Sequence, residues 1–232
     1  MPRRRTGTEK GRVAFLCGLY VLCGGSLRAQ TLESVLKHMD EAAAGFQSLT
    51  AHLRSLKHTD IVKDDSIDEG TIRVKRVKPK VSRFLIEFTV PDKYYVAVTE
   101  RRAEVYRPKI AEVEEYDVSK YRDLVEQVWP FGASGQDLAA RYKIALKGSE
   151  PAAGVPAIKI ELIPKSPKLL EQVPRIEMWV STQDWQPVQQ KYHDVTPGDY
   201  RLFTYTDLKL NAPVTEAQIR LTLPAGVRRV KH

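Results

Sequence analysis

Two hydrophobic periods divide the chain. In "TLESVLKHMDEAAAGF", Leu32, Val35, Leu36, Met39 and Ala43 recur at helical spacing, with Thr31 as N-cap and Gly45 as stop. The spacing predicts one amphipathic helix. From "SLTAHLRSLKHTDIV" onward the period falls to two: Leu49, Ala51 and Leu53 share one face, while Thr50, His52 and Arg54 share the other. An acidic segment, "KDDSIDEG", is expected to turn the chain back. "KYYVAVTERRAEVYRPKIAEVEEYDV" reads as a hairpin about "TERRA", and "DVSKYRDLVEQVWPFG" as a short helix carrying Leu124, Val125 and Val128. After Tyr142, strands follow almost without interruption: "RYKIAL", "PAIKIELIPK", "RIEMWVST", "QPVQQKYHD", "YRLFTYTDLKL" and "AQIRLTLP". Short polar turns between them imply an antiparallel meander, hence a mainly β (α+β) fold whose large curved sheet must cover a concave apolar face.

The segment from Gly70 to Phe88, "GTIRVKRVKPKVSRFLIEF", complicates that alternation with basic residues. Arg73 and Lys75 fall on the solvated parity, opposite Ile72 and Val74. Phe84, Ile86 and Phe88 resume the apolar face after Pro79. Arg76 departs from this division, since the parity that buries Ile72 and Val74 turns it inward. On parity alone, a guanidinium at a strand end before Pro79 can also snorkel to water.

Charge and cysteine usage alter the picture mainly at the N-terminus. Residues 1–29 have a basic start, an apolar run from about Val13 to Leu22, and small residues up to Ala29. That is the pattern of a secretory signal peptide, with cleavage expected after Ala29. The run is shorter than the roughly 20 apolar residues that span a bilayer. The chain of 232 residues has 37 Lys and Arg against 29 Asp and Glu, a formal charge of +8. Removing Arg3, Arg4, Arg5, Lys10, Arg12, Arg28 and Glu9 leaves 31 against 28, or +3. Cys17 and Cys23 depart with the same segment, leaving no thiol for a disulfide or metal. Leu22 stands where a lipoprotein signal places a small residue before its cysteine, so a soluble exported protein is expected rather than one lipidated at Cys23. Residues 30–232 suit a single domain.

Motifs for chemistry are not apparent. The five histidines form no HExxH pair, and no GxGxxG, GxxxxGK[ST] or GxSxG occurs. The acidic "EVEEYD" reads as a solvated hairpin face. An enzyme is not expected, nor is any cofactor or metal. The modest charge of an exported chain, with Phe84 and Phe88 on the apolar parity, also argues against nucleic-acid binding.

The order of segments resembles the LolA family of periplasmic lipoprotein carriers over nearly all of residues 31–232. The resemblance rests on the N-terminal helix, "EGTIRVKR", "RFLIEFTVPDKYYVAV", "VYRPKIAEVEEY", "WPFG", "IELIPK" and the terminal "DYRLFTYTDLKLNAPVTEAQIRLTLPAGVRRV". It implies an open, incomplete antiparallel β-barrel with helices as a lid over a hydrophobic cavity. It further implies a monomeric periplasmic carrier of lipoprotein acyl chains, loaded by an inner-membrane donor complex and unloaded to an outer-membrane receptor. Glu100-Arg101-Arg102 replaces the family's Asp-Gly turn, Glu104 stands where Trp is common, and "VKPKVS" adds residues after Arg76. Two alternatives remain open: a carrier of another lipid or hydrophobic metabolite, and a lipid- or lipoprotein-sensing regulatory module.

Arg76 aligns with the arginine that holds the lid closed in that family, so the resemblance implies a latch to carbonyls at helix ends. The lipid-cavity candidates, from parity and family position together, are Val74, Phe84, Ile86, Phe88, Tyr106, Trp129, Phe131, Ile160, Met178 and Val180. For each, ordinary core packing is an equal reading.

Overall fold

The computed structural model describes residues 30–79, 81–118 and 131–232. Helix α1 (Leu32–Gly45) begins where the sequence predicts, with the Thr31 side chain accepting from the Ser34 N–H. Its buried residues, Val35, Met39 and Ala43, form one stripe at helical spacing. The predicted helix over "SKYRDLVEQVWP", Leu124, Val125, Val128 and Trp129 with it, lies outside the described residues.

Six strands follow α1 as a meander: β1 (Ser48–Thr59), β2 (Asp64–Lys78), β3 (Val81–Val90), β4 (Tyr94–Val98), β5 (Arg102–Arg107) and β6 (Glu112–Asp117). Helix α2 (Gly135–Arg141) leads into β7 (Tyr142–Ala152) and β8 (Val155–Pro164). A one-turn helix, α3 (Pro167–Leu170), precedes β9 (Arg175–Ser181), β10 (Pro187–His193) and β11 (Tyr200–Leu210). A final strand, β12 (Arg228–Lys231), lies near the C-terminus. All belong to one 12-stranded sheet in the order β12-β6-β5-β4-β3-β2-β1-β11-β10-β9-β8-β7. The β1–β11 pairing joins the two meanders, while β12 and β7 remain as edges, so the curved sheet is an open barrel.

The structure corrects the sequence reading in two places. The acidic segment is mostly strand: β2 starts at Asp64, and the turn is confined to residues 60–63. "AQIRLTLP" is not a strand. Ala217–Ile219 is a 3-10 turn packed against β2 and β3, followed by irregular chain. Ile219 is buried and Leu221 and Leu223 are half-buried, while Arg220 and Thr222 are exposed, so the alternation has a real apolar side without a ladder to join. The chain then pairs β12 with β6 in parallel, the exception to the antiparallel pattern.

Two apolar clusters fill the concave side. Val35 and Met39 of α1 and Leu138 of α2 pack on Ile158, Ile160, Leu162, Ile176, Met178 and Val180 of β8 and β9. The His38 ring also stacks on Trp185, with centroids 4.2 Å apart. The second cluster joins Phe46, Leu49, Ala51, Leu53, Ile72, Val74, Phe88, Phe131 and Tyr205. Helix α1 thus covers one half of the sheet, and its C-terminal end delivers Phe46 to the other. Gly135 allows α2 to approach α1, because a Cβ there would lie 2.4 Å from the Leu36 carbonyl oxygen.

Candidate functional site: a latched apolar cavity

Cross-strand pairing fixes which side chains face inward, because directly paired residues share a face of the sheet. Leu49, Ala51 and Leu53 of β1 pair with Val74, Ile72 and Gly70 of β2. These in turn pair with Phe84, Ile86 and Phe88 of β3. The period-two reading of Leu49 to Leu53 and of Ile72 to Phe88 therefore holds in register. Arg76, two residues beyond Val74 on the same parity, also faces inward, and its backbone N–H donates to the Gln47 carbonyl at 2.7 Å.

The Arg76 guanidinium meets the helical cover. Nη1 donates to the Ala43 carbonyl in the last turn of α1, and Nη2 donates to the Gly132 carbonyl, each at 2.9 Å. Ala43 O lies in the turn whose carbonyls lack helical partners, so the arginine acts there as a cap from another element. The guanidinium also lies 5.1 Å from the centroid of the Phe46 ring. Gly132 has φ +68, and a Cβ there would come within 2.6 Å of both Arg76 Nη2 and the Phe46 ring. A left-handed glycine is what lets this carbonyl reach the arginine.

The clamp is incompletely satisfied. Arg76 Nε is buried with no hydrogen-bond partner among the described residues. Burial lowers the Arg76 pKa from its usual value, and the nearby Asp137 charge opposes that. Two charge-assisted bonds thus work against a desolvation cost, leaving a contact that holds α1 down without being deeply favourable.

Beyond the clamp, along the strands, lies a cavity of about 440 Å³. Its apolar wall includes Leu53, Ile72, Phe84, Ile86, Val173 and Phe203, with Tyr192 and Tyr205 beside them. Phe131 meets Tyr205 edge-on at 4.7 Å, and the Tyr205 hydroxyl donates to Gln190 Oε1 at 3.3 Å. Burial raises the Tyr205 pKa, so this hydroxyl remains a neutral donor. The mouth is polar, with Lys57, His58, Asp194, Asp199, Tyr200 and Arg201. Apolar walls with a few polar groups at one end suit a ligand with an apolar body and a polar end.

The structure sorts the predicted cavity residues. Phe84 and Ile86 line the cavity. Val74, Phe88 and Phe131 are buried in the packed cluster beside it, and Ile160, Met178 and Val180 in the cluster under α1. These six are core, because neighbouring side chains fill the space over them. Tyr106 is corrected outright: it pairs with Tyr95, which pairs with Glu87, and so lies on the opposite face from Ile86 and Phe88. Its neighbour Val105, paired with Val96, faces inward. Val173, Tyr192, Phe203 and Tyr205 belong to the wall and are absent from the predicted set. The alternation of Phe203 and Tyr205 in "YRLFTYT" carries the signal for two of them.

These features define the class: a mainly β, open-barrel protein with helices over one part of its concave side and an apolar cavity in another. The open, incomplete antiparallel barrel with helices beside a hydrophobic cavity is the architecture the sequence leads one to expect. No family model matches the chain, and no curated protein matches it. Among solved structures it is similar to MucB, with TM-score 0.54 and 17% identity over 86% of this chain. It spans 65% of the MucB chain. The complex of MucA and MucB from Pseudomonas aeruginosa is also similar, at TM-score 0.50 and 16% identity, covering 82% of this chain and 61% of that one. An uncharacterized conserved protein from Thermus thermophilus matches at TM-score 0.54 and 14% identity, over 88% of this chain and 100% of that one. At such identities the likeness establishes the fold alone.

Proposed function

We propose that this protein is a non-enzymatic carrier that takes an acyl chain, of a lipoprotein or a lipid, into the cavity and carries it across the periplasm. The observation that carries the reading is an apolar cavity joined, through the cluster of Phe46 and Ile72, to a helix whose last turn is bonded by the half-buried Arg76. The cavity volume of about 440 Å³ falls in the range typical of ligand sites, roughly 300–1,000 Å³. Each methylene buried there contributes about 0.8 kcal/mol, enough to hold a cargo that does not cross water unaided. Release then needs an opposing term. Arg76 supplies it if its bonds to Ala43 and Gly132 form in the empty protein and break as the chain enters, since ligand binding must overcome the closed state. The export signal read in residues 1–29 supports a periplasmic location. An inner-membrane donor and an outer-membrane receptor belong to the same reading.

A second reading is supported by the likeness to MucB, which has been solved in complex with MucA. In it, the same cavity senses a lipid and the protein reports occupancy to a protein partner. Mass spectrometry of the protein purified from its native envelope tests the shared premise. Acylated peptides leaving with it support the lipoprotein carrier, and free lipids support the lipid carrier or sensor. Recovery with no hydrophobic species at any stage of loading contradicts both.

A further inference from the structure

At the cavity mouth, Lys57 and Arg201 stand directly opposite one another in the β1–β11 ladder. Both lie on the inward parity, in line with Leu53 on β1 and with Phe203 and Tyr205 on β11. Like charges placed opposite in a sheet repel and weaken the pairing. Other cations on this sheet have carboxylates on neighbouring strands: Arg54 has Glu69, Arg73 has Glu87, Lys147 has Glu161 and Lys159 has Glu177. Among the described residues, no carboxylate forms an ion pair with Lys57 or Arg201.

The acids and the histidine nearby are otherwise engaged. Asp199 accepts the Asp60 backbone N–H, Asp194 accepts that of Thr196, and His58 is bonded to Asp65. Burial raises the Tyr94 pKa together with Asp68, which lies further in on the same face as the partner of Ser55, and the Arg201 charge opposes that. Lys57 and Arg201 are both exposed at the mouth.

We infer that Lys57 and Arg201 form an anion-reading lip, which holds the phosphate or carboxylate head group of an amphiphile whose chain lies along Leu53, Phe203 and Ile86. The inference rests on the acyl-binding reading and specifies its ligand class. Directly paired strand residues have Cβ atoms about 5 Å apart, so one anion lies within reach of both side chains. Arg201 presents a planar fork suited to two oxygens, while Lys57 adds a compact charge. Their aliphatic stems extend the apolar wall toward the mouth. An anion between them also relieves the repulsion across the ladder, which ties head-group binding to order at this end of β1 and β11.

The test compares binding of two micelle-free probes with the same single chain, anionic lysophosphatidylglycerol and a neutral monoacylglycerol, to the wild-type protein and to the Lys57→Gln/Arg201→Gln variant. Exposed ion pairs contribute only a few-fold each, so about tenfold tighter binding of the anionic probe is expected in the wild type at low salt. The preference should vanish in the variant, through weaker binding of lysophosphatidylglycerol. Equal affinity of the wild type for both probes overturns the lip and leaves the acyl-binding reading intact. Failure to bind either probe overturns both. Inorganic phosphate binding as tightly as lysophosphatidylglycerol also overturns the proposal, because the lip would then be a free-anion site independent of a chain.

Discussion

The Arg76 guanidinium bridges Ala43 and Gly132, carbonyls that lie 33 residues before it and 56 after it, from the inward face of a strand whose other basic residues face water. It joins the end of α1 to the chain leading into α2, and it does so over Phe46, which packs in the same cluster as Ile72 and Val74. Helical cover and cavity wall are therefore mechanically continuous.

Replacing Arg76 with Leu removes two charge-assisted bonds from the empty protein. Stability of the lipid-free form should fall by about 2 kcal/mol, and acyl-probe affinity should rise by up to roughly 30-fold, because closing the latch no longer competes with binding. Denaturant titration and probe titration on the same preparation check this. If affinity falls together with stability, Arg76 is a structural support and not a latch.

Gly132→Ala places a Cβ against the guanidinium and Phe46 at a backbone φ of +68. The strain should cost about 1–2 kcal/mol, lowering Tm by roughly 3–6 °C. Thermal unfolding of Gly132→Ala, of Arg76→Leu and of the double variant should show costs that do not add, since both act on one contact. Full additivity would show that the two residues are independent.

Core and cavity residues should respond differently to truncation. Ile160→Ala, beneath α1, should cost about 2–5 kcal/mol and leave the acyl-probe Kd unchanged. Ile86→Ala, at the wall of an existing cavity, should cost less stability and weaken probe binding. Equal effects on both measurements would erase the distinction drawn between the two clusters.

The tip of the β1–β2 hairpin should titrate. The Asp65 hydrogen bond, the largest influence, raises the His58 pKa above 6.5, with Asp60 adding to it and burial opposing. A raised folded-state pKa contributes stability present below about 6.5 and lost as pH rises through the folded value. Hydrogen exchange at this tip should therefore quicken on raising the pH through neutrality, after correction for intrinsic rates. In Asp65→Asn, the His58 midpoint observed by NMR should move down toward its ordinary value, and an unmoved midpoint would remove Asp65 as the cause.

Much of the fold is legible because β alternation is strictly periodic. Leu49, Ala51 and Leu53, then Ile72, Val74 and Arg76, fall on one face in the sequence and in the structure. Thr31 and Gly45 likewise bound α1. Alternation identifies a face, but not what lies across from it. Ile160 and Phe84 look alike in sequence; α1 covers one, and open space faces the other. Choosing Tyr106 puts aromatic character above parity, and Val105 is the inward residue of that strand. The Arg76 partners are main-chain carbonyls, which carry no residue signature. The lip formed by Lys57 and Arg201 is equally silent, because it exists only through the pairing of strands separated by most of the chain.

The most direct test of the proposed acyl-binding role is to fill the cavity. Ile86→Trp should occupy part of the space bounded by Leu53, Ile72, Phe84 and Phe203 while leaving far-UV circular dichroism unchanged. Displacing even two methylenes weakens binding by about tenfold, at roughly 0.8 kcal/mol each. Titration with a fluorescent fatty-acyl probe should show at least that loss for Ile86→Trp. A folded variant that binds the probe as tightly as the wild type would contradict the placement of the acyl chain in this cavity.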